Sequence, residues 1–273
     1  MALPFHKLLQ TLNSGSSIGS AAVAILASYG TDAHIYLPGI GTLNGYTLGN
    51  YLDSGGVTPA TVDNPVGLVQ DAIGSIHVSQ GTTASKPILR KPSNNYYWEF
   101  DGSNDTLVAG SAPFQMADDQ CVIVGTSMLN VGVERYPFVV RNAGNTNPWA
   151  CCLALTASSP IQSYWRDDSG TLFTANSGST YIANTPIVAS ARKVGNNKVC
   201  RVNGVSGGVN PTAIGATATL DMTRLGSFTD VTYLYNGAIY TTIAIKGTVS
   251  DADLLILERW VGSLTGPTGV VIP

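Results

Sequence analysis

Two patterns of apolar and polar positions divide the chain. Near the N terminus, apolar residues recur at helical spacing as Phe5, Leu8, Leu9 and Leu12, and an Ala-rich stretch follows from Ile18 to Tyr29. From about Ala33 onward, short runs with a period of two replace that pattern, and Gly, Asn, Pro and Ser separate them. We therefore expect a helical N-terminal arm over residues 1–32 and a β-rich domain over residues 33–273.

The β-rich part contains several clear strand signals. Tyr96, Trp98 and Phe100 alternate with Tyr97 and Glu99, and a period of two also runs through residues 239–245. Residues 121–124 and 138–140 are continuous apolar runs that predict buried strands. Asn203-Gly204 and Asn236-Gly237 are dipeptides typical of tight hairpin turns, because type I′ turns need positive φ at both central residues. No helix-length segments separate the strands, which favours antiparallel pairing and a two-sheet, all-β jelly-roll sandwich.

One helix is predicted near the C terminus. Ser250 is a good N-cap with Asp253 three residues later, and Gly266-Pro267 ends the element. An apolar face follows the cap at helical spacing, formed by Leu254, Leu257, Val261 and Leu264 with Trp260 beside it. We expect this helix to pack on the sheet and to bury Leu257 and Trp260.

Composition narrows the range of functions. Only 11% of the 273 residues are charged and the net charge is −3, so the clustered Lys and Arg of a nucleic-acid-binding protein are missing. The apolar stretch 18–29 is shorter than the ~20 residues of a membrane span, so no membrane insertion is expected. The four cysteines, Cys121, Cys151, Cys152 and Cys200, lack metal-site spacing and are interpreted as small buried hydrophobes of a protein assembled in a reducing cytosol.

Searches for catalytic motifs are negative. The three glutamates, Glu99, Glu134 and Glu258, are far apart in sequence, whereas sandwich-fold glycosidases place paired carboxylates at i, i+2 and i+4 on one strand face. The chain also lacks H-E-x-x-H and G-x-S-x-G. The sequence therefore predicts a protein that is not an enzyme.

One segment has the residue types of a sugar site. Residues 141–149 form a polar stretch that ends in an aromatic residue, and Trp165 follows nearby in sequence. Aromatic faces combined with amide and guanidinium donors suit glycans. The candidate ligand-binding residues are Arg141, Asn142, Asn145, Trp149 and Trp165. The alternative is an ordinary loop in which Trp149 caps the core.

A second segment could supply oxygen ligands to Ca²⁺. Asp101, Asn104 and Asp105 lie within five residues, and carboxylate and amide oxygens are the ligands that Ca²⁺ takes. The alternative is an Asx-type turn between two strands. The sequence suggests no other cofactor.

Several motifs resemble those of one known family. They are Tyr51-Leu-Asp-Ser-Gly-Gly-Val-Thr-Pro59, Asp63-Asn-Pro-Val-Gly-Leu-Val-Gln-Asp71, Lys86-Pro-Ile-Leu-Arg90 and Trp98-Glu-Phe-Asp-Gly-Ser-Asn-Asp-Thr-Leu107. Together with Arg201-Val-Asn-Gly204 and Leu225-Gly-Ser227, they resemble the concanavalin A-like, laminin-G-like domain of tailed-bacteriophage virion proteins. The resemblance covers roughly residues 33–265. One departure is the stretch 72–78, where the family's usual glycine- and asparagine-rich run is replaced.

The resemblance implies a role on the surface of a virus particle. We expect a non-enzymatic, tail-associated virion protein that binds a host surface or glycan, assembled in the host bacterial cytoplasm. It would contact other virion proteins through residues 1–32 and form a homo-oligomer. The rival interpretation is a head-decoration protein that stabilises the capsid. A third is a glycan depolymerase, which the scattered carboxylates disfavour.

Overall fold

The computed structural model describes residues 15–129, 134–144, 149–154, 160–217, 219–229 and 232–273. Two α-helices flank a β-rich body, α1 over Gly15–Tyr29 and α2 over Asp251–Leu264. Single 3₁₀ turns lie at Gly30–Asp32 and Thr83–Ser85. Within the described residues, neither helix is long and apolar enough to cross a membrane.

The first of two large antiparallel sheets has eight strands. They are β1 (Ala33–Tyr36), β7 (Ile88–Arg90), β8 (Tyr97–Asp101), β10 (Gln120–Met128), β15 (Ile187–Val194), β16 (Asn197–Val202), β17 (Val205–Ser206) and β19 (Asn236–Lys246). The spatial order is β17-β16-β15-β10-β19-β8-β7, and β1 also pairs with β19. The central strands β10 and β19 pair over most of their length, with a register shift next to Gly125.

The second sheet has nine strands. They are β4 (Asn50–Tyr51), β5 (Leu68–Val69), β6 (Val78–Ser79), β9 (Leu107–Ala109), β11 (Phe138–Arg141), β12 (Trp149–Ala154), β13 (Pro160–Arg166), β14 (Leu172–Thr180) and β18 (Met222–Leu225). The order is β14-β13-β12-β11-β18-β9-β6-β5-β4. A small hairpin of β2 (Thr42–Leu43) and β3 (Tyr46–Thr47) stands apart from both sheets.

The main core lies between the two sheets. Its fully buried large side chains come from both of them, for example Trp98 and Phe100 of β8 and Phe138 of β11. This arrangement confirms the predicted all-β, two-sheet sandwich. The predicted strands at 121–124, 138–140 and 239–245 form with bounds extended by a few residues, and the strand predicted at 96–100 forms one residue later, over 97–101.

A second core lies between the first sheet and the two helices. Ala22 and Leu26 of α1 are fully buried there together with Leu254 and Leu257 of α2 and Ile243 of β19. The helix over 15–29 therefore packs on the chain's own domain. This corrects the expectation that residues 1–32 form a separate arm docking elsewhere, because an Ala-rich face is flat enough to lie close against α2. Residues 1–14 lie outside the described residues.

The two Asn-Gly dipeptides behave differently. Asn203 and Gly204 have φ of 48° and 81° and form the predicted turn between β16 and β17. The turn predicted at Asn236-Gly237 is wrong, because both residues lie inside β19 and pair with Asp101 and Phe100 of β8. Gly237 is needed there since a Cβ would lie 2.2 Å from the Ser127 carbonyl oxygen.

The C-terminal helix forms as predicted. The Ser250 hydroxyl accepts a hydrogen bond from the backbone N–H of Asp253 (3.1 Å) and donates one to that residue's carboxylate (2.7 Å). Leu257 and Trp260 are buried against the first sheet. Sequence reasoning did not predict that Glu258, between them, is also buried.

Candidate functional site

Because both helices pack on the first sheet, the opposite side of the sandwich is formed by the second sheet. Strand β11 shows how its side chains alternate: Phe138 and Val140 enter the main core, whereas Val139 belongs to a separate cluster on the other side. Successive side chains of a strand point to opposite faces. We call this outward-pointing side of the second sheet the distal face.

The strand register brings one tryptophan and three arginines close together on the distal face. Trp149 of β12 lies directly opposite Arg141 of β11 on one side and opposite Arg166 of β13 on the other. One row along, Arg224 of β18 lies opposite Val139. Directly opposed residues in antiparallel strands have Cβ atoms about 4.5–5.5 Å apart. Arg141 and Arg166 thus lie on either side of Trp149, and Arg224 lies in the adjacent row of the same face.

An aromatic cluster covers part of this face. It contains Tyr136, Trp149, Tyr164, Phe228 and Tyr233. Trp149 and Tyr164 meet edge to face at 5.7 Å between ring centroids, and Trp149 and Phe228 do so at 5.3 Å. Tyr136 contacts all four other rings at 5.4–6.4 Å. Such tilted and T-shaped pairs are the favoured aromatic geometries, so the cluster is a rigid base.

Tyr233 is the exposed member of the cluster. Its side chain is 46% exposed, whereas Trp149 is only 6% exposed. Its φ of 52° places the backbone in the left-handed region, which is rare for a bulky residue. The other non-glycine residues with positive φ in the described chain are Asn and Asp, which tolerate this conformation. Tyr136 and Phe228 hold the ring at 5.4 and 6.0 Å.

The arginines are fixed by carbonyl groups and rings. The Arg141 guanidinium lies 4.9 Å from the centre of the Phe228 ring and donates to the Phe228 carbonyl oxygen at 3.0 Å. Arg166 donates through Nε to the Gly170 carbonyl oxygen at 3.0 Å. Burial without a carboxylate partner lowers the pKa of Arg135, which donates to the Leu234 carbonyl oxygen beside Tyr233.

One buried donor of this cluster lacks a partner. The indole N–H of Trp149 is buried and makes no hydrogen bond within the part of the chain that the structure describes. Tryptophan N–H groups usually find an acceptor when they are buried. The distal face thus carries an exposed ring and fixed guanidinium groups above this buried donor, and the ring and guanidinium groups suit the binding of a polar ligand.

The structure separates the five residues predicted to bind a ligand. Arg141 and Trp149 lie together on the distal face, but Trp149 belongs to a buried cluster, as the alternative interpretation had it. Trp165 cannot stack on a ligand, since it is fully buried in the main core on the opposite side of the sheet. Asn142 has structural partners: its amide donates to the Thr219 carbonyl oxygen at 2.7 Å, and its Oδ1 accepts the Gly144 N–H at 3.0 Å. Asn145 lies outside the described residues.

Sequence reasoning missed most of the cluster. Tyr136, Phe228 and Tyr233 were not singled out, because Tyr136 lies just before β11, the other two lie in the connection between β18 and β19, and no periodicity links these positions. Only Tyr164 could have been found, since it alternates with Trp165 and so faces away from the core. The positive φ of Tyr233 has no sequence signal.

The predicted calcium residues form a turn. The Asp101 Oδ1 accepts the backbone N–H groups of Ser103 (2.7 Å) and Asn104 (3.2 Å), and the Asp105 Oδ2 accepts the N–H of Asp101 (2.9 Å). Burial, with the nearby charges of Asp101 and Glu99, raises the pKa of Asp105 to about 6. In the described chain no group of three His, Cys, Asp or Glu side chains could hold a metal ion. The geometry is that of the Asx-type alternative, so the calcium assignment is not supported.

The three glutamates lie in different places. Glu99 pairs with Arg90 on the first sheet at 2.6 Å. Glu258 of α2 is buried, accepts from the Ser190 hydroxyl at 2.6 Å and pairs with Arg201 at 3.0 Å. Burial raises the pKa of Glu258, against the lowering effect of these two partners. Glu134 precedes the Tyr136 ring and has a buried oxygen, Oε1, that no described group reaches.

Comparison with known proteins identifies the fold. No protein-family model and no curated protein sequence matches the chain. The structure of a Trypanosoma rangeli sialidase in complex with the inhibitor DANA matches with a TM-score of 0.56 at 9% identity, covering 94% of this chain and 40% of the sialidase. The binding domain of paraclostridial mosquitocidal protein 1 matches with a TM-score of 0.54 at 10% identity, covering 71% of this chain and 49% of that domain.

The chain has the two-sheet antiparallel β-sandwich fold, and these similar structures share it over most of its length. It spans about two fifths of the sialidase chain and half of the toxin domain. The prediction that the chain is not an enzyme is wrong, because the similar structures include sialidases over more than nine tenths of this chain. At 9–10% identity the likeness shows the fold alone and assigns no activity to these residues.

Proposed function

We propose that this chain is a glycan-binding domain and that the distal face is its binding surface. The observation that carries the proposal is Tyr233, an exposed ring held in a left-handed backbone conformation on a rigid aromatic base. Strain of this kind persists only where the surrounding structure enforces it, and it concentrates at binding and catalytic sites. An exposed ring beside guanidinium groups offers a sugar both a stacking surface and hydrogen-bond donors.

Two of the similar structures support this proposal by analogy. One Trypanosoma rangeli sialidase structure, with a TM-score of 0.55, holds 2,3-difluorosialic acid as a covalent intermediate, and the toxin fragment is a binding domain. The sialidase thus provides an example of this fold in a protein that binds a sugar. The similar structures support the proposal through their fold alone. The remaining evidence is the arrangement of the residues on the distal face.

We further propose that the domain is displayed on a bacteriophage particle and is tail-associated. The support is the sequence resemblance, above all the stretches 51–71 and 98–107 with their turn glycines and aspartates. In that setting the distal face would bind a host cell-surface glycan, and residues 1–14 would contact neighbouring virion proteins. Homo-oligomerisation and assembly in the host cytoplasm belong to the same proposal.

Glycan binding is tested by replacing the exposed ring. We expect Tyr233→Ala to lower affinity for a bound oligosaccharide by about tenfold or more, since loss of one stacking contact is worth on the order of 1 kcal/mol or above. A matched control is Tyr46→Ala, on the small hairpin next to α2 and away from the distal face. The measurement is a glycan-array screen with the purified domain, followed by calorimetric titration of the sugars that bind.

Equal loss in both variants, or no loss in Tyr233→Ala, would contradict the assignment of the site. The head-decoration alternative predicts a different result. In that case Tyr233→Ala particles attach to host cells normally, and only their resistance to heat or osmotic shock falls.

A further inference from the structure

Two buried lysines lie side by side at one end of the main core. Lys193 of β15 and Lys198 of β16 are directly opposed in the register of the two strands, so their side chains leave the same face of the first sheet. That face is the inner one, because Ala191 and Cys200, two residues further along the same strands, belong to the main core. Lys193 is 5% exposed and Lys198 is fully buried.

These two positive charges have no counter-ion. No acidic side chain in the described parts of the chain forms an ion pair with either lysine. Burial lowers the pKa of Lys193, against the opposite effect of the nearby charges of Asp119 and Asp118, whose carboxylates already accept backbone N–H groups. Burial, together with the charge of Lys193, lowers the pKa of Lys198 to about 8. Opposed like charges destabilise a sheet and unpaired buried charges are costly, so an anion bound here would stabilise the fold.

A cavity of about 240 Å³ lies beside the ammonium group of Lys193. Ala117 lines the same cavity as Lys193, and its carbonyl oxygen accepts from the Lys193 Nζ at 3.3 Å. Lys193 also donates to the Asp118 carbonyl oxygen at 2.9 Å, which leaves the third N–H of the ammonium group without a described acceptor. Asn196, whose carbonyl oxygen accepts from the Lys198 Nζ at 2.8 Å, lines the cavity as well. The cavity therefore adjoins both charges.

We propose that this cavity binds a phosphate group, either as the free ion or as the phosphoryl substituent of a sugar. Lysine binds phosphate as a compact point charge, whereas the planar fork of arginine is the better match for a carboxylate. A volume of about 240 Å³ lies below the ~300–1,000 Å³ of sites for drug-sized ligands, which suits a group of this size. The site is separate from the distal face, because Lys193 faces the main core.

The lining of the cavity is compatible with an anion. Apart from Lys193 it contains no charged residue, and its remaining members are Met116, Gly195, Ile214, Gly215 and Thr217. The Asp167 carboxylate lies behind Gly215, where an added Cβ would be 2.5 Å from its Oδ2. Its Oδ1 accepts from the Ser169 hydroxyl and the Thr171 N–H, so this carboxylate is held by its own turn.

The experiment titrates inorganic phosphate, glucose 1-phosphate and glucose into the purified protein. Calorimetry is done at a constant ionic strength of about 0.15 M, with chloride as the balancing anion, so that general screening is the same in every titration. We expect saturable binding of phosphate, at least tenfold tighter than that of chloride, and no binding of glucose. If glucose 1-phosphate binds too, the site accepts a sugar-linked phosphate, and if only inorganic phosphate binds, the ligand is the free ion. Both results support the proposal.

Matched variants assign the contact. Lys193→Gln should abolish phosphate binding. Thr217→Asp places a carboxylate on the cavity wall and should weaken binding at least tenfold, whereas Thr217→Asn, of the same shape without the charge, should bind within about threefold of the wild type. Lys246→Gln, at an exposed position at the end of β19, controls for net charge and should bind like the wild type. Thermal melts in chloride check that every variant keeps the fold.

The outcomes are independent of the proposed glycan site. Phosphate binding no tighter than that of chloride would overturn the proposal, and so would binding that both Lys193→Gln and Thr217→Asp leave unchanged. Tyr233→Ala should bind phosphate like the wild type, because Tyr233 lies on the distal face. Loss of phosphate binding in Tyr233→Ala would place the anion on that face and contradict this assignment. Failure to bind any glycan would leave the phosphate titration unaffected.

Discussion

At the scale of single residues, Asp71 organises one end of the sandwich. Its buried carboxylate accepts backbone N–H groups of Ile35 (3.0 Å), Ile73 and Ile76 (both 3.2 Å), and it pairs with His34 Nδ1 at 2.6 Å. Burial alone would raise the pKa of Asp71, but the hydrogen bond and charge of His34, with the Ile35 N–H, lower it below its usual value. The carboxylate form thus stabilises the turn after β5.

This gives a pH-dependent prediction. A carboxyl group whose pKa is lower in the folded state contributes stability above its unfolded pKa, and that contribution is lost as the pH falls through the folded pKa. Asp71→Asn should therefore reduce the free energy of unfolding at pH 7 by about 1.5–3 kcal/mol, and the difference from wild type should shrink below about pH 4. Urea melts from pH 7 to pH 3 measure both effects. The exposed Asp32→Asn is the control, and a pH-independent difference would contradict the mechanism.

Sequence reasoning at the residue scale succeeded where local rules decide and failed where distant segments meet. Ser250 as an N-cap and Asn203-Gly204 as a turn follow from local geometry, and both are present. The role of Asp71 depends on His34, which lies 37 residues away in another strand. The same reason hid Tyr233, whose ring contacts Tyr136 of a distant segment.

At the scale of elements, the burial of β19 and the hydrogen-bonded pairing at its start explain what the sequence predicted correctly about this strand and what it did not. Strand β19 was predicted from its alternation, but nine of its eleven residues are buried, because α1 and α2 cover the second face of the first sheet. Asn236-Gly237 was taken for a turn because the dipeptide is typical of tight hairpins, but pairing with β8 holds both residues inside the strand.

Helix α2 offers a direct test of the second core, which lies between the helices and the first sheet. Leu257 is fully buried between α2 and the first sheet, so Leu257→Ala should lower the free energy of unfolding by about 2–5 kcal/mol. Its neighbour Ile256 is only partly buried, and Ile256→Ala should cost clearly less. Guanidinium melts of the two variants make the comparison. A cost below about 1 kcal/mol for Leu257→Ala would show that α2 does not seal the second core.

At the scale of the whole molecule, the helix near the N terminus belongs to the folded domain. Ala22 and Leu26 of α1 are fully buried, and the Tyr29 hydroxyl donates to the Thr248 carbonyl oxygen at 2.9 Å, just before α2. The helix is thus part of the domain, and the sequence-based boundary at residue 32 lies too late. Any assembly role of the arm is left to residues 1–14, with their apolar positions Phe5, Leu8, Leu9 and Leu12.

Two truncations separate these roles. A chain beginning at Gly15 should melt like the full chain, and if the proposed contact of residues 1–14 with other virion proteins exists, it should fail to join the particle. A chain beginning at Thr31 should in addition expose the second core. Loss of the Leu26 side chain alone is worth about 2–5 kcal/mol, which corresponds to a drop in Tm on the order of 5–20 °C for a domain of this size. Calorimetric melts and particle incorporation are the two measurements.

Normal incorporation of the chain that begins at Gly15 would move the assembly contact away from residues 1–14. An unchanged Tm for the chain that begins at Thr31 would contradict the packing of α1 on α2.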